Sequence, residues 1–173
     1  SGVHKVYESL QAGNVGHYPP DDPVSTPVYW LEVGPTNRWG MFDDGVGTVT
    51  EHAEEIDVTI APGLVDSIAF LNTSAQSIVL TMTDPVEGVV YSEEITMQVE
   101  GMVSDWYEYF FEEIVSRSEV VGFSLPPMPA AQLRIQIKQP GGTASCGVAV
   151  VGRSRWIGSA KWGLSFGIAD YSR

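Results

Sequence analysis

The strongest signal along the chain is alternation. Leu133, Ile135 and Ile137 are separated by Arg134 and Gln136 and flanked by Gln132 and Lys138. A period of two puts the aliphatics on one face of a strand and the polar residues on the other. Ile56, Val58 and Ile60 alternate in the same way with Asp57 and Thr59. Ile78, Leu80 and Met82 alternate with Val79 and Thr81 in the strand predicted for residues 76–83. Asp84-Pro85 and Glu87-Gly88 follow, and then a long β-rich run from Val89 to Val99. Turn residues between two such runs predict a hairpin.

The remaining pattern fills in around these strands. Val3 to Leu10 is short and amphipathic. Gly13 to Pro27 holds four prolines and two aspartates and reads as an extended loop, so residues 1–27 are expected to form an N-terminal arm. Val28–Val33 is a strand by its β-branched and aromatic content, broken by Gly34-Pro35. Arg38–Phe42 is expected as a second extended piece and Asp43–Gly47 as a turn. Leu64–Leu71 is a strand with Val65, Ile68 and Phe70 inward. Val120–Leu125 is another, followed by the rigid Pro126-Pro127-Met128-Pro129 connector. Pro140-Gly141-Gly142 is expected to be a turn before the small apolar strand Ser145–Val151. Arg153–Ile157 and Gly163–Ile168 close the chain as short strands. Gly101–Ser118 is open to two readings: a helical turn from Asp105, with Glu108 three residues on, or an aromatic strand leading into a loop. Eight or more short strands with turns between them predict an all-β fold, an antiparallel β-sandwich or jelly roll spanning 28–173. No period of ~20–50 residues repeats, which disfavours a propeller or solenoid.

Composition agrees. The 173 residues include 18 Gly and 11 Pro, a mix suited to a turn-rich β protein. No apolar run approaches the ~18 residues of a membrane helix, and the first residues lack a signal-peptide pattern. A single cysteine, Cys146, excludes an internal disulfide and is expected as a small buried hydrophobe. The net charge of −13 is unevenly spread. Residues 1–130 hold three Lys/Arg against 21 Asp/Glu, a balance of −18; residues 131–173 hold six against one, a balance of +5. An acidic body speaks against nucleic acid as a partner. The basic last quarter suits an acidic neighbour within the chain or in another subunit, or simply water.

Catalytic patterns are not evident. His4, His17 and His52 fall in no metal spacing, there is no Gly-x-Ser-x-Gly elbow, and Gly45 and Gly47 lack the third glycine of a phosphate cradle. No catalytic residue and no metal ligand set is assigned, and the chain is expected not to be an enzyme. The crowded aromatics Trp106, Tyr107 and Tyr109 suit either a sugar-stacking platform or a subunit contact. The Asp43–Thr48 turn suits either a structural Ca²⁺ or an ordinary acidic turn. Arg38 beside Trp39 suits a structural acid or the indole face more than a ligand carboxylate. Together with Trp30 and Phe42 these two residues are the expected packing anchor of the chain.

Two resemblances meet at that anchor. Val6-Tyr7-Glu8-Ser9-Leu10, Gly13-Asn14-Val15-Gly16, Tyr29-Trp30-Leu31, the run Gly34 to Asp43 and the terminal Asp170-Tyr171-Ser172-Arg173 resemble segments of tailed-bacteriophage virion structural proteins. That likeness implies a tail-associated virion component, made in the host cytoplasm, that works through contacts with itself and other virion proteins. Phe42-Asp43-Asp44-Gly45 with Thr48 resembles the Phe-Asp-Gly…Thr turn of galactose-binding-like β-sandwich domains. This second likeness implies that fold and a structural Ca²⁺ at the turn; host cell-surface glycans are the ligands expected of the alternative in which Trp106, Tyr107 and Tyr109 form the sugar platform.

Overall fold

The computed structural model describes residues 4–19, 28–43, 45, 47–98, 116–122, 124–155 and 158. In chain order the strands are β1 (Lys5–Ser9), β2 (Trp30–Pro35), β3 (Thr50–Ile60), β4 (Ser67–Ser74), β5 (Ser77–Asp84), β6 (Gly88–Thr96), β7 (Val120–Val121) and β8 (Gln132–Gly152). Every pairing between them is antiparallel. The protein is all-β, and its main sheet curls into a half-barrel consistent with a β-sandwich.

Strand β8 is the hub. Ile137 lies opposite Ile56 of β3 and also opposite Ile78 of β5, so those two strands flank β8 on opposite edges. Farther along, Cys146 pairs with Thr50 of β3 and with Thr73 of β4. Strands β4 and β5 therefore run end to end along one edge of β8, joined by Ala75 and Gln76. Strand β6 pairs outside β5 as the expected hairpin, and β7 pairs outside β4.

Pro140-Gly141-Gly142 is not a turn, contrary to the sequence expectation. Lys138 faces Glu55 and Thr143 faces Ala53, so four residues of β8 stand against the single residue Glu54. Glu54 and Gly141 both have left-handed backbones, with φ of 66° and 74°. Glycine adopts this readily, whereas glutamate does so only where its surroundings hold it there. The extra residues make a bulge, which bends a strand without ending it. The β4–β5 junction falls at the same level, between Ser74↔Ser145 and Ser77↔Lys138. All three long tracks break along one line, and the sheet folds across it.

Both halves turn their apolar faces to one core. Leu133, Ile135, Ile137, Ile78, Leu80, Met82 and Phe70 are fully buried, and Ile56, Val58, Val65 and Ile68 nearly so. Beyond the bulge, Ala144, Cys146 and Ala149 continue the buried face. Burial pushes the Cys146 thiol pKa up. Other expectations change as well. Arg38–Phe42 is not extended but lies within a 3-10 helix, Asn37–Phe42. Among the described residues of 120–125, Val120 and Val121 alone pair in a strand, although Leu125 is buried. Of the strand expected at Arg153–Ile157, residues 153–155 carry none and 156–157 lie outside the described residues. Strand β1, expected within an arm, pairs with β2 in a separate two-stranded ribbon.

Candidate functional site

The run Thr36–Asp43 fastens the ribbon to the edge of β3 that faces away from β8, and almost every residue in it has a separate task. The Thr36 amide donates to the His4 carbonyl at 2.9 Å, which ties the run to β1. Asn37 replaces a missing strand: its Nδ2 donates to the Glu51 carbonyl at 2.7 Å and its Oδ1 accepts from the Glu51 amide at 2.9 Å. Arg38 donates to the Asp57 carbonyl farther along the same strand at 3.0 Å. The Met41 amide donates to Thr50 Oγ1 at 2.8 Å, and the Met41 side chain is fully buried. Gly40 allows this approach, because a Cβ there would lie 3.0 Å from the Val49 carbonyl oxygen.

The expected anchors therefore occupy different positions. Gly40 and Met41 are the buried members of the run, Met41 with its whole side chain in the core, and Trp39 and Phe42 pack half-buried against it. Trp39 also meets the His4 ring at a centroid distance of 4.5 Å and Phe42 at 5.8 Å. Arg38 is exposed and serves the β3 edge. Trp30 is half-buried on the ribbon, where its Nε1 donates to the His17 carbonyl at 3.1 Å. Ring size favours Trp39 and Phe42 over Met41 in the sequence, because the Thr50 hydroxyl that fixes the Met41 amide lies nine residues away.

Ribbon, 3-10 helix and Asp43 enclose a groove of about 500 Å³ lined by His4, Lys5, Glu32, Trp39, Phe42 and Asp43, among others. Lys5 and Glu32 form an ion pair of 2.6 Å across it, and that contact raises the lysine pKa. Both side chains are about half exposed, so the pair contributes little to stability. At the far end of the ribbon, His17 stacks on Tyr29 at 3.5 Å, the Leu10 amide donates to the Tyr29 carbonyl, and Asn14 donates to Ser9 Oγ. These contacts pin part of the proline-rich loop back onto the strands.

The ribbon nonetheless leaves apolar side chains in water. Val15 is 85% exposed, Val33 60% and Leu31 51%, with Val6, Leu10, Tyr18 and Val28 also exposed. Two paired strands alone bury too little to be stable, so the ribbon depends on its clasp and on whatever covers it.

The three histidines sit apart, at Trp39, at Tyr29 and at the Ala53 carbonyl. In the Asp43–Thr48 turn, Thr48 Oγ1 donates to the Gly45 carbonyl at 3.0 Å. Among the described residues no three His, Cys, Asp or Glu side chains gather as metal ligands, and Asp44 lies outside them. Trp106, Tyr107 and Tyr109 also lie outside the described residues. Among the described residues no helix is long and apolar enough to cross a membrane. Comparison of the chain with protein-family models, with curated proteins and with solved structures finds no match.

Proposed function

We propose that this chain is a non-enzymatic structural component of a tailed-phage virion, associated with the tail, that works through contacts with copies of itself and with other virion proteins. The observation that carries the reading is the clasped β1–β2 ribbon with its uncovered Val6, Leu10, Leu31 and Val33. Burying a valine or leucine at a neighbour contributes roughly 1.5–3 kcal/mol per side chain, so a few of them suffice for a specific contact. The clasp pre-orders the ribbon, which lowers the entropic cost of docking. Of the five segments that resemble virion proteins, Val6–Leu10, Tyr29–Leu31 and Gly34–Asp43 build the ribbon and its clasp.

The test is a Leu31→Asp, Val33→Asp double variant. Both positions are exposed, so the fold is expected to survive, while self-association in sedimentation and incorporation into particles fall at least tenfold. Normal incorporation of this variant, with wild-type protein strictly monomeric at high concentration, would refute the reading. A glycan array read against Trp106→Ala tests the glycan-binding alternative: hits lost in that variant would favour it over a purely structural role.

A further inference from the structure

The groove between ribbon and clasp already holds a cation of its own. Glu32 and Asp43 bring two carboxylates to it, against the single ammonium of Lys5. Lys5 stands 2.6 Å from Glu32, and both carboxylates favour its charged form, Glu32 the more strongly. That internal cation is easily displaced. The side chains of Lys5 and Glu32 are each 46% exposed, and an ion pair so placed in water contributes little. Aromatic rings complete the lining. Trp39 and His4 lie with centroids 4.5 Å apart and planes tilted by 32°, and Phe42 follows at 5.8 Å from Trp39. Backbone bonds fix these groups in place: the Thr36 amide holds the His4 carbonyl, and the Asp43 amide donates to the Gly40 carbonyl at 3.2 Å.

Carboxylates beside an aromatic face select a positive charge, and a flat one above others. A guanidinium stacks on an indole and donates as a fork to a carboxylate, whereas an ammonium acts only as a point charge. Lys5 is therefore the weaker of the two cations that the groove can hold. The wider field has the same sign. Residues 1–130 carry a balance of −18, which draws a basic partner toward this end of the chain.

We infer that this groove seats an arginine side chain of a neighbouring protein, with the guanidinium on the Trp39 face and its donors on Glu32 and Asp43 in place of Lys5. The inference rests on the virion reading only in taking that arginine from another protein of the particle.

Titration of the full-length chain with N-acetylarginine methylamide, followed by nuclear magnetic resonance, tests it. The Trp39 indole and the Gly34 and Asp43 amides should shift and saturate, with a dissociation constant on the order of 1 mM for so small a probe. The neutral isostere N-acetylcitrulline methylamide should bind at least tenfold more weakly. Glu32→Gln and Asp43→Asn should each weaken the arginine probe at least fivefold; Glu32 is exposed, so that variant keeps its fold. Lys5→Ala removes the competing ammonium and should tighten binding at least threefold. A ligand held through hydroxyls or an anionic group would respond to Lys5→Ala in the opposite direction. No saturable shift, equal binding of the citrulline probe, or weaker binding by Lys5→Ala overturns the inference. The two readings fail separately. If the probe does not bind while Leu31→Asp, Val33→Asp still blocks incorporation, the groove inference alone falls. If the probe binds but Glu32→Gln, Asp43→Asn enters particles normally, the inference is wrong about its partner.

Discussion

Asn37 offers the sharpest check on the clasp, because it is exposed and its role is confined to hydrogen bonding. Its side chain makes two bonds to the Glu51 backbone, at 2.7 and 2.9 Å. Each such bond contributes about 0.5–1.5 kcal/mol, and water can partly replace both at an exposed edge. Asn37→Ala should therefore cost about 1.5 kcal/mol, or about 3–6 °C in Tm for a chain of this size. Asn37→Asp is more informative. It keeps the acceptor for the Glu51 amide but turns a carboxylate oxygen toward the Glu51 carbonyl, so at neutral pH it should lose at least as much as alanine. Protonation restores a donor, so the folded state raises the pKa of this carboxyl above its unfolded value of about 3.9. A raised pKa means the stabilising contribution is fully present below the unfolded value and is lost as pH rises through the folded one. The deficit of the Asp variant relative to wild type should narrow as pH is lowered from 7 toward 4, while that of the Ala variant stays level. Thermal melts followed by circular dichroism across that range would read both. Two variants within about 0.3 kcal/mol of wild type, or an Asp deficit that ignores pH, would show that the β3 edge does not need this side chain.

Three further outcomes are expected. Gly40→Ala places a Cβ 3.0 Å from the Val49 carbonyl oxygen, a backbone atom with little room to move, and should cost about 1–3 kcal/mol in urea unfolding; an unchanged midpoint would contradict the close approach. Arg134 holds Asp57 in a two-pronged ion pair that lowers the pKa of the aspartate. A lowered carboxylate pKa stabilises above the unfolded value and loses that contribution as pH falls through the folded one, so Arg134→Met should flatten the fall in stability below pH ~4; an identical acid limb would count against the pair. Burial, reinforced by a hydrogen bond to Glu93, pushes the Tyr91 pKa up to about 12. Its contribution to stability is present below the unfolded pKa of ~10 and is lost as pH rises through the folded value. In ultraviolet titration the component missing from Tyr91→Phe should ionise near that higher pH, and a missing component that ionises near ~10 would refute the assignment.

What could be read from the sequence was periodicity. Ile56 and Val58, Ile78, Leu80 and Met82, and Leu133, Ile135 and Ile137 face the core as their alternation requires, because only one face of a strand can meet it. The β5–β6 hairpin was equally legible, since its turn residues act locally. What required the tertiary structure was every question of partnership. Proline and glycine mark a departure from regular backbone, but whether the chain reverses or merely bends at Pro140-Gly141-Gly142 depends on β3, more than 80 residues earlier in the chain, supplying Glu54 opposite the bulge. Arg38–Phe42 coils instead of extending because Thr50 and Glu51 bond to Met41 and Asn37, and no local propensity records those contacts. Likewise β1 and β2 have ordinary strand patterns, yet they stand apart from the main sheet as a ribbon. Pattern sets which way a side chain must face, whereas the choice of neighbour is made by hydrogen bonds between segments far apart in sequence.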